Sequence, residues 1–243
     1  MMQKPICGTL KTDGFGAQYW SNMTCFAHCR KYNSIYRHFD YIRISHYKEN
    51  IDAKAMNTFT GLHSDLDDDV TREVDVKRAG TFPCSSNNDA FFTPSVIEEL
   101  RRMYYSTPKP VPIVCDVAIH IRRGDVSENG KHSGRFRPLS YYKNIVKIIR
   151  KQHPDYKIVI FSEGERSDFD EMECDDNIEL NLNGNLLETF HTMVESKIFV
   201  MGYSCLSLCA AILNKNTIYY MKNIVRPLEH WIYIEEIQRD FKA

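Results

Sequence analysis

In the second half of the chain, short apolar runs alternate with stretches in which apolar residues recur every three or four positions. The runs are 116–121, 157–161, 178–182, 197–201 and 217–221, and the helical stretches are 139–151, 186–195 and 204–213. A strand buried on both faces reads as a continuous apolar run, while a helix covering it keeps a 3.6-residue period. The rhythm predicts βαβ repetition and a mostly parallel, doubly wound sheet. Pro227 suits the first turn of a last helix over 227–243, with Leu228, Trp231, Ile234, Ile237 and Phe241 on its apolar face.

The first half is less regular. An extended run at 5–10 leads into Asp13-Gly14-Phe15-Gly16-Ala17-Gln18, and Tyr19, Trp20, Met23, Phe26 and Ala27 then recur at helical spacing. Two glycines between a strand and a helix suit a tight turn, and the helix N-terminus offers N–H groups to an anion. A strand is expected at 41–44 and a helix at 94–105, with Val96, Ile97, Leu100 and Met103 on one side. Asp65, Asp67, Asp68 and Asp69 lack the glycine and terminal glutamate of a calcium loop and read as a solvated face. Residues 85–89 are turn chemistry. Pro108, Pro110 and Pro112 make a stiff connector, which places a boundary between an N-terminal domain, 1–107, and a C-terminal domain, 108–243. The last helix is a candidate to pack back across that boundary.

Composition changes this picture little. Hydrophobic residues make up 43% and charged residues 26%, with a formal net charge of −1, so anion binding must be local and nucleic acid is not an expected partner. Eight cysteines are scattered through predicted strands and helices; they read as reduced and packed. Cys25 with Cys29, and Cys205 with Cys209, are spaced four apart, but no CxxC pair or matching histidine spacing supports a metal. No apolar run is long enough for a membrane span, and a soluble, cytoplasmic protein is the expectation.

Candidate chemistry concentrates where the predicted strands end. The run at 118–121 delivers His120, Arg122, Arg123, Gly124 and Asp125 to a strand's carboxyl end, where open α/β sheets bind ligands. Paired guanidinium groups there suit a phosphate or diphosphate, and surface carboxylates are the plainer alternative. Ser204 is a natural N-cap, after which the N–H groups of Cys205, Leu206 and Ser207 form an anion cradle; a cap alone is the competing reading. Ser162 and Glu163 end another strand, and Glu163 either accepts from a base or sugar hydroxyl or is a surface acid.

These segments occur in order: His120 to Asp125, Pro138-Leu139-Ser140-Tyr141-Tyr142, Phe161-Ser162-Glu163, Thr189-Phe190-His191-Thr192-Met193, and Gly202 through Ala211. Together they resemble the motif set of the α1,2-fucosyltransferase family, with related motifs in α1,6- and protein O-fucosyltransferases. The turn from Gly14 to Gln18 is similar to the glycine-rich first loop of those enzymes. The resemblance covers most of residues 115–221 and that short N-terminal stretch. It implies an α/β, GT-B-like fold: two Rossmann-like domains, a small N-terminal one on the acceptor side and a C-terminal one with a doubly wound parallel sheet binding the nucleotide sugar. It further implies an inverting transfer of L-fucose from GDP-fucose to a hydroxyl of a glycan acceptor, with no cofactor or metal. Arg122 would hold the diphosphate and take up leaving-group charge, as a cation must where no metal does so. Arg123 would support it or pair with Asp125, and His120 would orient the arginines or touch the donor. Gly14, Gly16, Ala17, Ser162, Glu163, Glu188, Thr189, Ser204, Cys205, Leu206 and Ser207 complete the expected donor contacts.

Three positions depart from the pattern. Ala17 stands where asparagine is common, Thr189 with Glu188 where an aspartate is common, and Leu208-Cys209 where two tryptophans are common. They leave the base and sugar of the donor open, so another nucleotide sugar, or a non-catalytic nucleotide-sugar or glycan-binding module, remains an alternative. A phosphate-ester hydrolase would lack a recognisable nucleophile. Inversion calls for a general base; Glu128 lies nearest the place where related α1,6 enzymes carry a glutamate, with Asp125 and His132 as further candidates.

Overall fold

The computed structural model describes residues 5–10, 12–44, 52–66, 75–78, 89–172, 177–222 and 225–240. The expected acidic run at Asp67, Asp68 and Asp69, the turn residues 85–88, and Cys84, Cys174 and Phe241 lie outside them. The chain divides into two compact units: Met1–Lys109 with Val225–Leu228, and Pro110–Ile224 with Glu229–Ala243. Each has a wholly parallel sheet, so the α/β class read from the apolar rhythm is the one observed.

The first unit is built on strand β1 (Ile6–Leu10), helix α1 (Phe15–Lys31), β2 (Ile35–Arg37), α2 (Ala53–Thr60), β3 (Asp75–Arg78) and α3 (Pro94–Tyr105), with strand order β2-β1-β3. Phe15, Tyr19, Met23 and Phe26 of α1 are fully buried, as their helical spacing requires. Helix α3 starts where Thr93 accepts from the N–H of Val96 and proline occupies its first turn. Helix α2 ends at Gly61 with φ of 65°, and a Cβ there would collide with the Met103 carbonyl. The strand expected at 41–44 is a single bridge between Ile44 and Asp13. Its place beside β1 is taken by β2, whose three residues are too few to show a period.

The second unit holds β4 (Val117–His120), α4 (Leu139–Gln152), β5 (Ile158–Ser162), β6 (Ile178–Leu182), α5 (Leu186–Glu195), β7 (Ile198–Val200), α6 (Cys205–Leu213), β8 (Thr217–Tyr220), β9 (Ile232–Tyr233) and α7 (Ile234–Asp240). The strand order is β6-β5-β4-β7-β8-β9. Alternation along β4 sorts the two faces. Val117, Ile119 and Ile121 join the core formed with Tyr142, Ile145 and Ile149 of α4 and with Ile234 and Ile237 of α7. The intervening Ala118 and His120 point to the opposite face, where α5 and α6 pack on each other. The last helix begins at Ile234, not Pro227. The residues before it instead form β9 beside β8, with Trp231 and Tyr233 set against the Tyr220 ring.

Among the described residues Cys7, Cys25, Cys29, Cys115, Cys205 and Cys209 are in no disulfide, and no group of three or more His, Cys, Asp or Glu side chains is placed to hold a metal. No described helix is long and apolar enough to cross a membrane.

Candidate functional site

In the second sheet the chain leaves β4 for β5 on one side, while β7 lies on the other. The carboxyl ends of β4 and β7 therefore form the topological switch point of a doubly wound sheet, where neighbouring connections part and open a crevice. The segment from His120 to Asp125 follows β4, and the segment from Gly202 to Ser207 follows β7. Sheet order thus joins stretches more than eighty residues apart in sequence.

The two segments meet through His120. Its Nδ1 lies 2.6 Å from the hydroxyl of Ser207, which is itself fully buried. The N–H of Gly202 donates to the same hydroxyl at 3.1 Å. A Cβ at Gly202 would fall 2.6 Å from the His120 carbonyl oxygen and 3.0 Å from its Nδ1, so a side chain there would push the loop off the strand. Ser204 accepts from the N–H of Ser207 at 3.0 Å and thereby caps α6. Cys205 and Leu206, both half-buried, contribute the first-turn N–H groups of that helix. Burial, and secondarily the Arg122 cation, hold the His120 imidazole down at about 4, so it is neutral at physiological pH.

Arg122 makes a bidentate pair with Asp125, Nε to Oδ1 at 3.1 Å and Nη2 to Oδ2 at 2.7 Å. The guanidinium keeps 22% of its side chain exposed, which leaves it open to a ligand. Of the two roles expected for Arg123, support of Arg122 or pairing with Asp125, the second is not the one observed: Arg123 donates to the carbonyls of Arg122 and Arg137 at 3.1 and 2.9 Å and lies over the Phe136 ring at 4.4 Å. Burial lowers its guanidinium from the ordinary value, partly offset by Tyr142 and Asp168. Its work is to tie the loop after β4 to the segment before α4. Between the arginines and Asp125 the chain turns through Gly124, with φ of 73°, against the Glu163 carboxylate at the end of β5. Ser162 donates to the Ile121 carbonyl at 2.7 Å, so its hydroxyl braces β4.

Other expected residues stand further out. Glu128 is exposed in the turn after Asp125, and no hydrogen bond or ion pair holds it among the described residues. His132 precedes the single helical turn Ser133–Arg135. Glu188 and Thr189 are half-buried in the first turn of α5, whose cap Asn185 accepts from the N–H of Glu188 at 3.1 Å. They share the carboxyl edge of the sheet with the switch point but not its hydrogen bonds. Gly14, Gly16 and Ala17 belong to the first unit. There Gly14, with φ of −61°, adopts a conformation open to any residue, and its N–H is taken by the Asp13 carboxylate at 2.7 Å.

Two participants were missed by sequence reasoning. Arg137 anchors Arg123 through its carbonyl, and its own guanidinium lies 6.0 Å from the centroid of the Tyr203 ring. Phe136 carries the Arg123 guanidinium. The available signal was the basic and aromatic alternation Arg135-Phe136-Arg137 directly before the proline that opens α4.

No curated protein matches the chain. Among solved structures, it is similar to the iron-containing dodecameric glycosyltransferase TibC of enterotoxigenic E. coli, at 10% identity and a TM-score of 0.47, over 90% of this chain and 58% of that one. It is also similar to FUT1 of Arabidopsis thaliana in complex with GDP (10% identity, TM-score 0.45, 93% and 73% covered) and to the NodZ α-1,6-fucosyltransferase soaked with GDP-fucose (11%, 0.41, 87% and 93%). The chain thus spans little more than half the length of TibC. A family model for glycosyl transferase family 11 matches residues 110–236, the stretch that carries the whole switch-point site and just over half of the 243 residues. The chain belongs to glycosyl transferase family 11, the α1,2-fucosyltransferase family that its motifs resemble.

Proposed function

We propose that the switch-point site binds GDP-fucose and that the protein transfers fucose, with inversion, to a hydroxyl of a glycan. The observation that carries this reading is the reachable Arg122 guanidinium on the loop after β4, with the capped N-terminus of α6 on the loop after the neighbouring β7, in a chain of family 11. A diphosphate entering there exchanges the Asp125 carboxylate for its own oxygens on Arg122, and the first-turn N–H groups of α6 favour the same charge. In the transfer, the bond between the anomeric carbon and the diphosphate oxygen breaks and its electron pair leaves with GDP. Arg122 stabilises that charge where it develops. The acceptor oxygen attacks the opposite face and loses its proton to a base. Asp125, engaged twice by Arg122, is the poorer base, and the exposed Glu128 is the assigned one. Arg122 supplies the positive charge that a divalent cation supplies in metal-dependent transferases, so donor binding survives chelation.

The test is calorimetry against GDP, UDP and their sugar conjugates, each with and without EDTA. GDP and GDP-fucose bind best, and EDTA leaves their affinity unchanged. A preference for UDP, or binding lost with EDTA, would overturn the donor assignment. Arg122→Ala abolishes transfer in a folded protein, whereas near-normal turnover in that variant would remove the mechanism. If Glu128→Gln keeps full turnover, the base lies elsewhere.

A further inference from the structure

We propose that Ser207 fixes His120 as the tautomer that carries its proton on Nε2, making the ring a neutral hydrogen-bond donor to an acceptor atom of the bound nucleotide. This rests on the nucleotide reading above; the lock itself is a property of the protein alone.

The assignment follows from counting protons around one buried hydroxyl. Ser207 Oγ accepts from the Gly202 N–H at 3.1 Å, which uses one lone pair. A serine hydroxyl has a single proton to give. Its possible recipients are His120 Nδ1 at 2.6 Å and Ser204 Oγ at 3.4 Å. The short contact takes it, because a hydroxyl donor is strongest near the distance of the first and weak at that of the second. Ser204 Oγ already accepts from the Ser207 N–H at 3.0 Å, and its own proton is left to complete the second lone pair of Ser207. With Nδ1 accepting, a neutral imidazole must hold its one proton on Nε2. Ser207 is fully buried, and Gly202 closes the loop against the ring. The opposite tautomer would make His120 Nδ1–H the donor at 2.6 Å, shorter than the ordinary range of an N–H···O bond and well within that of a hydroxyl donor.

The consequence is chemical. Phosphate oxygens and the carbonyl of a purine base both accept hydrogen bonds, so both are met by an Nε2–H and opposed by a bare Nε2 lone pair. The ring stays uncharged beside Arg122, so it adds a donor to the site without adding a second cation. Ser207 acts only through His120 and is a positioning residue.

The experiment is long-range proton–nitrogen NMR on the full-length protein with labelled histidine, His120 being assigned by the signal lost in His120→Gln. The wild type shows His120 as the Nε2–H tautomer, and Ser207→Ala gives a mixture. GDP binding weakens about tenfold in Ser207→Ala and in His120→Asn, the loss expected for one hydrogen bond to a charged group. His120→Gln recovers most of what His120→Asn loses, because its amide reaches the Nε2 position. A parallel loss with inorganic pyrophosphate identifies a phosphate oxygen as the acceptor, and a parallel loss with guanosine identifies the base. An Nδ1–H signal in the wild type, or a tautomer unchanged in Ser207→Ala, would overturn the lock. Should Ser207→Ala not fold, the wild-type spectrum and the Asn and Gln pair still decide it. An Nε2–H tautomer in a wild type that binds no GDP would leave the lock standing and overturn the nucleotide reading instead.

Discussion

Asp125 determines what a ligand finds at Arg122. Its two hydrogen bonds fix the direction of the planar guanidinium, yet the pair is partly exposed and three residues apart, so its contribution to folding is below about 1 kcal/mol. Asp125→Asn should leave urea unfolding almost unchanged while tightening GDP binding by up to about fivefold, since the internal carboxylate no longer competes; a weaker GDP affinity in calorimetry would mean that orientation outweighs competition. Gly124 is the position where backbone conformation matters most. With φ of 73° and the Glu163 carboxylate packed where a Cβ would go, Gly124→Ala should cost about 1–3 kcal/mol by denaturant unfolding. Arg122 and Gly124 were legible from sequence because an apolar run ended in them. The partner of Asp125 was not, since two adjacent arginines look alike until one of them finds carbonyls and an aromatic face.

At the level of elements, α6 is placed by a cap that sequence reading found and by a contact that it could not find. Ser204 before an apolar helix is a local signal, and Ser204→Ala should lower stability by about 1 kcal/mol through the lost cap, measured by denaturant unfolding. The contact of Ser207 with His120 depends on β7 lying next to β4 and on which face His120 takes. Strand order is a property of the whole sheet, and no window of sequence carries it. Strands β4, β5, β7 and β8 declared themselves because buried strands read as apolar runs that extend past their ends, and β6 did so by alternating apolar with polar residues. Strand β9 is two residues long and β2 three, and neither leaves a period to read. The same reason moved the last helix: Leu228 and Trp231 continue an apolar spacing but are buried in the approach to β9 rather than along α7.

At the scale of the molecule, two histidines among the described residues contribute to the response to acid. His120 and His38 are both held at about 4 against an ordinary 6.5, chiefly by burial. Below pH 6.5 the unfolded chain takes up protons that the folded one refuses, so this stabilisation is complete above about 6.5 and is lost as the pH falls towards 4. Asp65 and Asp116, whose carboxyls are held below their ordinary 3.8, act only at still lower pH. Melting temperature should therefore fall between pH 6.5 and 4.5, and His38→Gln and His120→Gln should each flatten that slope.

The chain passes between the two units more than once: it leaves the first after Lys109, returns to it for Val225–Leu228, and ends in the second. Val225 and Leu228, both buried, thus belong to the first unit although the residues before and after them in sequence belong to the second. A single protease nick in the proline-rich connector should leave the two fragments travelling together in native size exclusion and parting only in denaturant. Expression of the two halves from separate genes should restore the same complex. A fragment ending before residue 225 should behave otherwise, having lost the part of the first unit that lies at 225–228 together with β9 and α7.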